Sequence, residues 1–144
     1  MTGKDLQKAV VDLARTLGWK VAHFPAMQGR DGIWRTAVAA DGKGFPDLLL
    51  VRDRCIVVEI KGDGDRLRDE QADWLTAFRM AGIAAHVWTP ASWETGEIER
   101  ILTARKQDVR LGAPALPLTG PEREDVIGRL AEGFPPELLG GIPT

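Results

Sequence analysis

The chain has 144 residues, enough for one domain with a proper core and too few for two ordinary ones, and its 44% hydrophobic and 28% charged residues argue against disorder of the whole. Nineteen Lys and Arg against 21 Asp and Glu give a net charge of -2, without the basic excess by which phosphate binders usually show themselves; residues 1–61 nonetheless hold ten basic against seven acidic side chains, and residues 111–144 two against five. Cys55 alone excludes an internal disulfide and a cysteine-based zinc site, and with no signal-peptide pattern or apolar run of membrane-spanning length the expectation is a cytoplasmic protein.

KDLQKAVVDLARTLG sets Leu6, Val10, Leu13 and Leu17 at helical spacing, with Thr2 as a cap and Gly18 just past the end, and predicts a first helix. WKVAHFPA alternates bulky residues and predicts a strand stopped by Pro25. Residues 27–44 are Gly-rich and polar, and read as a long mobile loop with a short strand at IWRTAV. Strands are expected over 47–51 and 55–61, joined by residues 52–54. In RLRDEQADWLTAFRMAG the residues Leu67, Trp74, Leu75 and Phe78 form one helical stripe closed by Gly82. IAAHVWT is a further short strand, and SWETGEIERILTARK predicts one helix with Ile98, Ile101 and Leu102 inward. Beyond Val109 the composition shifts to Pro, Gly and Leu. Residues 1–110 are therefore expected to form the domain and 111–144 an acidic tail, with a short helix over 121–133 whose Val126, Ile127, Leu130 and Phe134 share one side. This order describes an α/β fold, a mixed sheet covered by helices on both faces; LLLV and CIVVEI run apolar without alternation, as strands buried on both sides do.

Into those apolar runs are set Asp47, Glu59 and Lys61, and ionised groups cost several kcal/mol to desolvate unless something compensates them. With a three-residue turn at 52–54, Val51 faces Cys55 and Asp47 lies opposite Glu59. Directly paired side chains share a face, with Cβ atoms about 4.5–5.5 Å apart. Lys61, two residues past Glu59, falls on that face too. Two carboxylates so placed repel unless a cation lies between them. A hard divalent cation takes one or two carboxylates, keeps several waters and accepts phosphate oxygens, and the backbone carbonyl of Ile60 is a further candidate ligand. Lys61 would orient the attacking water or stabilise developing charge. The plainer alternative is a salt bridge, which an acid and a lysine two apart on a strand form in many proteins.

GFPDLLLVRDRCIVVEIKG followed by LRDEQADWLTAFRMAGIAAHVW resembles the VRR-NUC family of the PD-(D/E)XK nuclease superfamily, in the order Phe-Pro-Asp, Glu-Ile-Lys, then Gln before Trp-Leu on the next helix. The resemblance implies a restriction-endonuclease-like fold and Mg²⁺- or Mn²⁺-dependent hydrolysis of DNA phosphodiesters with a metal-activated water. It further implies Asp47 and Glu59 as metal carboxylates, Lys61 as the catalytic lysine and Gln71 as the helix glutamine near the site. From its residues alone Gln71 reads as a surface-edge glutamine. Stand-alone viral or bacterial members resemble Holliday junction resolvases and act as homodimers. A bacterial or virus-infected cell, branched DNA and a second copy of the chain are therefore the expected setting, substrate and partner. The family also carries a Glu near the start of helix one, where this sequence has Gly3, Lys4 and Asp5; Asp5 is the candidate stand-in.

Arg30, Trp34, Arg35 and Lys43 lie in the long loop beside the expected site, where cations grip phosphates and an indole stacks on an unpaired base; Arg66 and Arg68 open the following helix with the same potential. Solvated charges and a loop-anchoring tryptophan are the alternative. His23 and His86 read as strand residues rather than ligands, and Cys55 as a small core residue. The rival functions are a monomeric nicking or flap endonuclease, a DNA-binding module with a degenerate site, and a plain α/β domain in which Lys61 neutralises two acids.

Overall fold

Helix α1 (Gly3–Thr16) starts at a capping box: the Thr2 hydroxyl accepts the Asp5 N–H, and the Asp5 carboxylate reaches back to the Thr2 N–H at 2.9 Å. Leu6, Val10 and Ala14 are the residues it buries, while Leu13 and Leu17 of the predicted stripe pack half-buried on its flank. The computed structural model describes residues 1–108. The expected helix over 121–133, its apolar side and the boundary near residue 110 lie outside them.

After α1 the chain enters β1 (Lys20–His23), and later β4 (Leu48–Val51), β5 (Cys55–Ile60) and β6 (Ala84–Trp88) complete a four-stranded sheet in the order β1-β4-β5-β6. The first three strands pair antiparallel and β6 lies parallel to β5. Pairing runs from Val51↔Cys55 to Leu48↔Val58, the register that a three-residue turn dictates. Leu48, Leu50, Ile56, Val58 and Ile60 face α1, α3 (Pro90–Glu94) and α4 (Glu97–Thr103), meeting Leu6, Val10, Trp88, Ile98 and Leu102. On the other face Val57 and Ala85 pack against Leu75 of α2 (Asp69–Met80). Each such aliphatic side chain contributes about 1.5–3 kcal/mol on burial, so β5, buried from Ile56 to Ile60, is the best-anchored strand. This mixed α/β sheet with helices on both faces is the restriction-endonuclease-like fold expected. Among the described residues no helix is long and apolar enough to cross a membrane.

The short strand expected at IWRTAV is present as β3 (Trp34–Thr36), and two expectations are corrected. Where loop was expected, β2 (Ala26–Gln28) joins β3 in a second small sheet, paired as Ala26↔Thr36, Met27↔Arg35 and Gln28↔Trp34. Three residues carry no readable alternation, and the strand is held instead by local bonds, from the Gly29 N–H to the Ile33 carbonyl and from the Gln28 amide to the Gly32 carbonyl. The single helix expected from Ser92 onward is two, because Gly96 takes φ 75° and breaks the helical path between α3 and α4. Trp93, on α3, packs against the core.

The turn between β4 and β5 is a fastening point. Arg52 donates to the carbonyls of Leu17, Leu102 and Ala104, the C-terminal ends of α1 and α4, and its guanidinium lies 4.4 Å from the centre of the Trp19 ring. The carboxylates lie at the other end of the same two strands.

Candidate active site

Asp47 is delivered by a loop that closes tightly on α2. Gly44 has φ 79°, and a Cβ there would stand 2.6 Å from the carbonyl carbon of Glu70, so only glycine lets the chain pass. Phe45 then packs edge-on against Phe24, Trp74 and Phe78, at 4.9, 5.0 and 5.9 Å between ring centres. In an unbroken ladder Ile60 would face Pro46, but pairing ends at Leu48, and the Asp47 carboxylate takes the Ile60 N–H instead, at 2.8 Å.

Opposite it, Glu59 is 2% exposed. Its Oε1 accepts the Gln71 amide at 2.6 Å and meets Lys61 Nζ at 3.1 Å, while Gln71 Oε1 accepts Lys61 Nζ at 2.8 Å and the Arg68 N–H at 3.0 Å. Gln71 thereby caps α2 and fixes both Glu59 of β5 and Lys61 just past its end. It is 6% exposed, not the surface-edge residue its neighbours in sequence suggest. Burial, then the negative charge of Asp47, push the Glu59 carboxyl up to about 7, against the pull of Lys61. Burial also raises Asp47, offset in part by the Ile60 N–H and Lys61.

The other oxygen of Glu59, Oε2, is buried and has no hydrogen-bond partner. An orphaned carboxylate oxygen beside a second, repelling carboxylate is costly in a folded protein, and a divalent cation removes both costs together. The donors are all oxygen, as Mg²⁺ or Mn²⁺ requires. Among the described residues no three Asp, Glu, His or Cys side chains converge, so protein carboxylates from β4 and β5 alone would supply the charge.

The remaining candidates divide. Asp5 sits at the start of α1, where its Oδ2 accepts the Thr2 N–H and hydroxyl, bonds that hold the carboxyl below the usual range, because an acid at the third helical position reaches back to the cap. The α1 side chain turned toward this end of the sheet is Gln7, whose amide lies 2.9 Å from His23 Nε2. His23 ends β1 opposite Leu48, and its positive form favours the Asp47 carboxylate. Neither was singled out as a site residue; the flank position of Gln7, beside Leu6 and three before Val10, was the available signal. Arg68 is exposed, and its charge favours both carboxylates. Arg66 is exposed. Lys43 is paired with Glu70 at 2.7 Å, and Arg35 holds Asp31 with its two terminal guanidinium nitrogens, both in exposed pairs. Arg30 and Trp34 stand exposed on the β2–β3 hairpin.

Fold and residue order together define the class: a restriction-endonuclease-like α/β domain with an acid opening one strand and Glu-x-Lys ending the next. The family model described as the VRR-NUC domain matches residues 5–91, more than half of the chain, and the chain belongs to that family of nuclease domains. Over 47 residues the chain is 51% identical to the Fanconi-associated nuclease 1 homolog of Caenorhabditis elegans, a stretch covering 31% of this chain and only 5% of that protein. No solved structure matches.

Proposed function

We propose that the protein is a metal-dependent, structure-selective DNA endonuclease of the Holliday-junction-resolvase type. The reading rests above all on one observation, the buried and unpartnered Glu59 Oε2 on a carboxylate near enough to Asp47 to be repelled by it, beside a lysine. Asp47, Glu59 and the Ile60 carbonyl would hold Mg²⁺ or Mn²⁺. When bound, such an ion supplies Lewis-acid stabilisation of phosphate charge and a more acidic water. Lys61 donates to the attacking water or to a phosphate oxygen; Gln71 keeps Lys61 and Glu59 in register. The water oxygen bonds to phosphorus, the ester P–O bond breaks, and the water's proton ends on the departing sugar oxygen, without a covalent enzyme intermediate.

Resolution of a four-way junction needs two symmetric cuts and so a homodimer. Against this stands a second reading, a monomeric nicking or flap endonuclease, which needs only the one site that Asp47, Glu59, Lys61 and Gln71 make. Cleavage of labelled linear, nicked, flapped, forked and four-way DNAs with Mg²⁺, Mn²⁺ or EDTA, beside Lys61→Ala, separates them. Paired nicks across the junction, lost in EDTA and reduced at least about a hundredfold in the variant, are expected. Cutting of flaps alone selects the monomeric reading. A folded protein that binds branched DNA and cuts nothing is a binding module, and the nuclease reading fails.

A further inference from the structure

The β2–β3 hairpin carries three of the six exposed large apolar side chains among the described residues. Trp34, 63% exposed, stands on the face it shares with Gln28; Met27, 61% exposed, on the opposite face with Arg35; and Ile33, 54% exposed, where the turn enters β3. The other four tryptophans are buried or half-buried. Arg30, at its turn, has no carboxylate partner among the described residues, and with Arg35 set against Asp31 the hairpin carries a net positive charge.

Its root is fixed beside the candidate active site. Phe24 donates its N–H to the Asp47 carbonyl at 2.8 Å and packs edge-on against Phe45, which is itself seated on α2. Gln28, four residues further, lies at most about 14 Å from Phe24, and the paired strand adds about 5 Å. With about 5 Å more from Phe24 across to Asp47, Trp34, paired with Gln28, is thus within roughly 24 Å of the Asp47 backbone, or about seven base steps at 3.4 Å each.

We propose that this hairpin is a wedge that stacks Trp34 on an unpaired base at the point where a DNA duplex divides, with Arg30 on the adjoining phosphate. The proposal rests on the nuclease reading for its substrate and adds the element that chooses branched over continuous DNA. An exposed aromatic platform with a cation on the same hairpin is the chemistry of single-strand binding. A continuous duplex offers the indole no face to stack on.

The test uses the full chain in EDTA, so that nothing is cut, with two DNAs of equal length. One is a continuous duplex, the other a splayed fork carrying 2-aminopurine at its first unpaired position. The fork is expected to bind at least about fivefold more tightly than the duplex and to have its 2-aminopurine fluorescence quenched. Trp34→Ala should lose the preference and the quenching, whereas Trp34→Phe keeps most of both. An unchanged fork-to-duplex ratio in Trp34→Ala overturns the wedge. So does a variant that changes sedimentation from dimer to monomer with the ratio intact, since the hairpin would then be a contact between copies. Wild-type cleavage in Mg²⁺ keeps the two readings apart: preference without cutting sinks the nuclease alone, and cutting without a Trp34-dependent preference sinks the wedge alone.

Discussion

Glu59 is held against its own chemistry. A displacement of its carboxyl from 4.5 to about 7 corresponds to at most about 3 kcal/mol. Because the folded value is the higher, the destabilisation is absent below about pH 4.5 and complete above about 7 in metal-free protein. His86, stacked on Trp88 and pushed down to about 4 by burial and the charges of Arg79 and Arg54, acts in the opposite sense between about 4 and 6.5. The two slopes oppose one another, so the wild-type profile hides Glu59 and comparison with a variant exposes it. Glu59→Gln keeps an acceptor for Gln71 and removes the charge. Without metal it should be more stable than wild type at pH 8, by about 1–3 kcal/mol in urea titration, with no advantage at pH 4.5. Gln71→Ala tests the positioning role. Loss of its bonds to Glu59 and Lys61 should lower kcat about 10–100-fold with KM nearly unchanged, a split that simple loss of the helix cap does not produce.

Among the elements, the loop that carries Asp47 depends on Gly44. Gly44→Ala drives a methyl into the start of α2 and forces a strained φ, costing about 2–4 kcal/mol in denaturant titration and lowering cleavage along with stability. Arg52→Ala should cost a similar 2–4 kcal/mol, because three helix-end carbonyls lose a charged donor and Trp19 the nearer of its two cations. Asp47 and Arg52 sit five residues apart at opposite ends of a strand, roughly 16 Å, so kcat of the folded Arg52→Ala protein at low temperature should stay at the wild-type level. The register that apposes Asp47 and Glu59 was legible because residues 52–54 are flanked by two unbroken apolar runs, which admit one pairing. The break at Gly96 was not, since a glycine inside an apolar helical period looks the same whether the helix tolerates it or ends there. Nor was β2, too short to show a period. The burial of Gln71 is a tertiary matter: its partners Glu59, Lys61 and the Arg68 N–H come together only when α2 lies across the end of β5.

At the scale of the molecule, the sheet is fastened at one end and chemically loaded at the other. Gly3 at the start of α1 lies against Gly62, with room for a Cβ only at 3.4 Å from its nitrogen; the hairpin root and the N-terminus of α2 meet at the same end. A divalent ion held there would bind the folded chain alone, and at a hundred times its dissociation constant would add about 2.7 kcal/mol of stability, which would offset most of what Glu59 costs. The most direct measurement is a calorimetric titration with Mg²⁺ or Mn²⁺ at pH 8, with thermal midpoints read on the same samples of wild type and Glu59→Gln. Binding by the wild type with a rise in its midpoint, and no binding by a variant that begins the more stable, is the predicted result. Wild type that binds neither ion, beside a Glu59→Gln protein less stable than it, would mean that Lys61 merely neutralises two structural acids and would contradict the account.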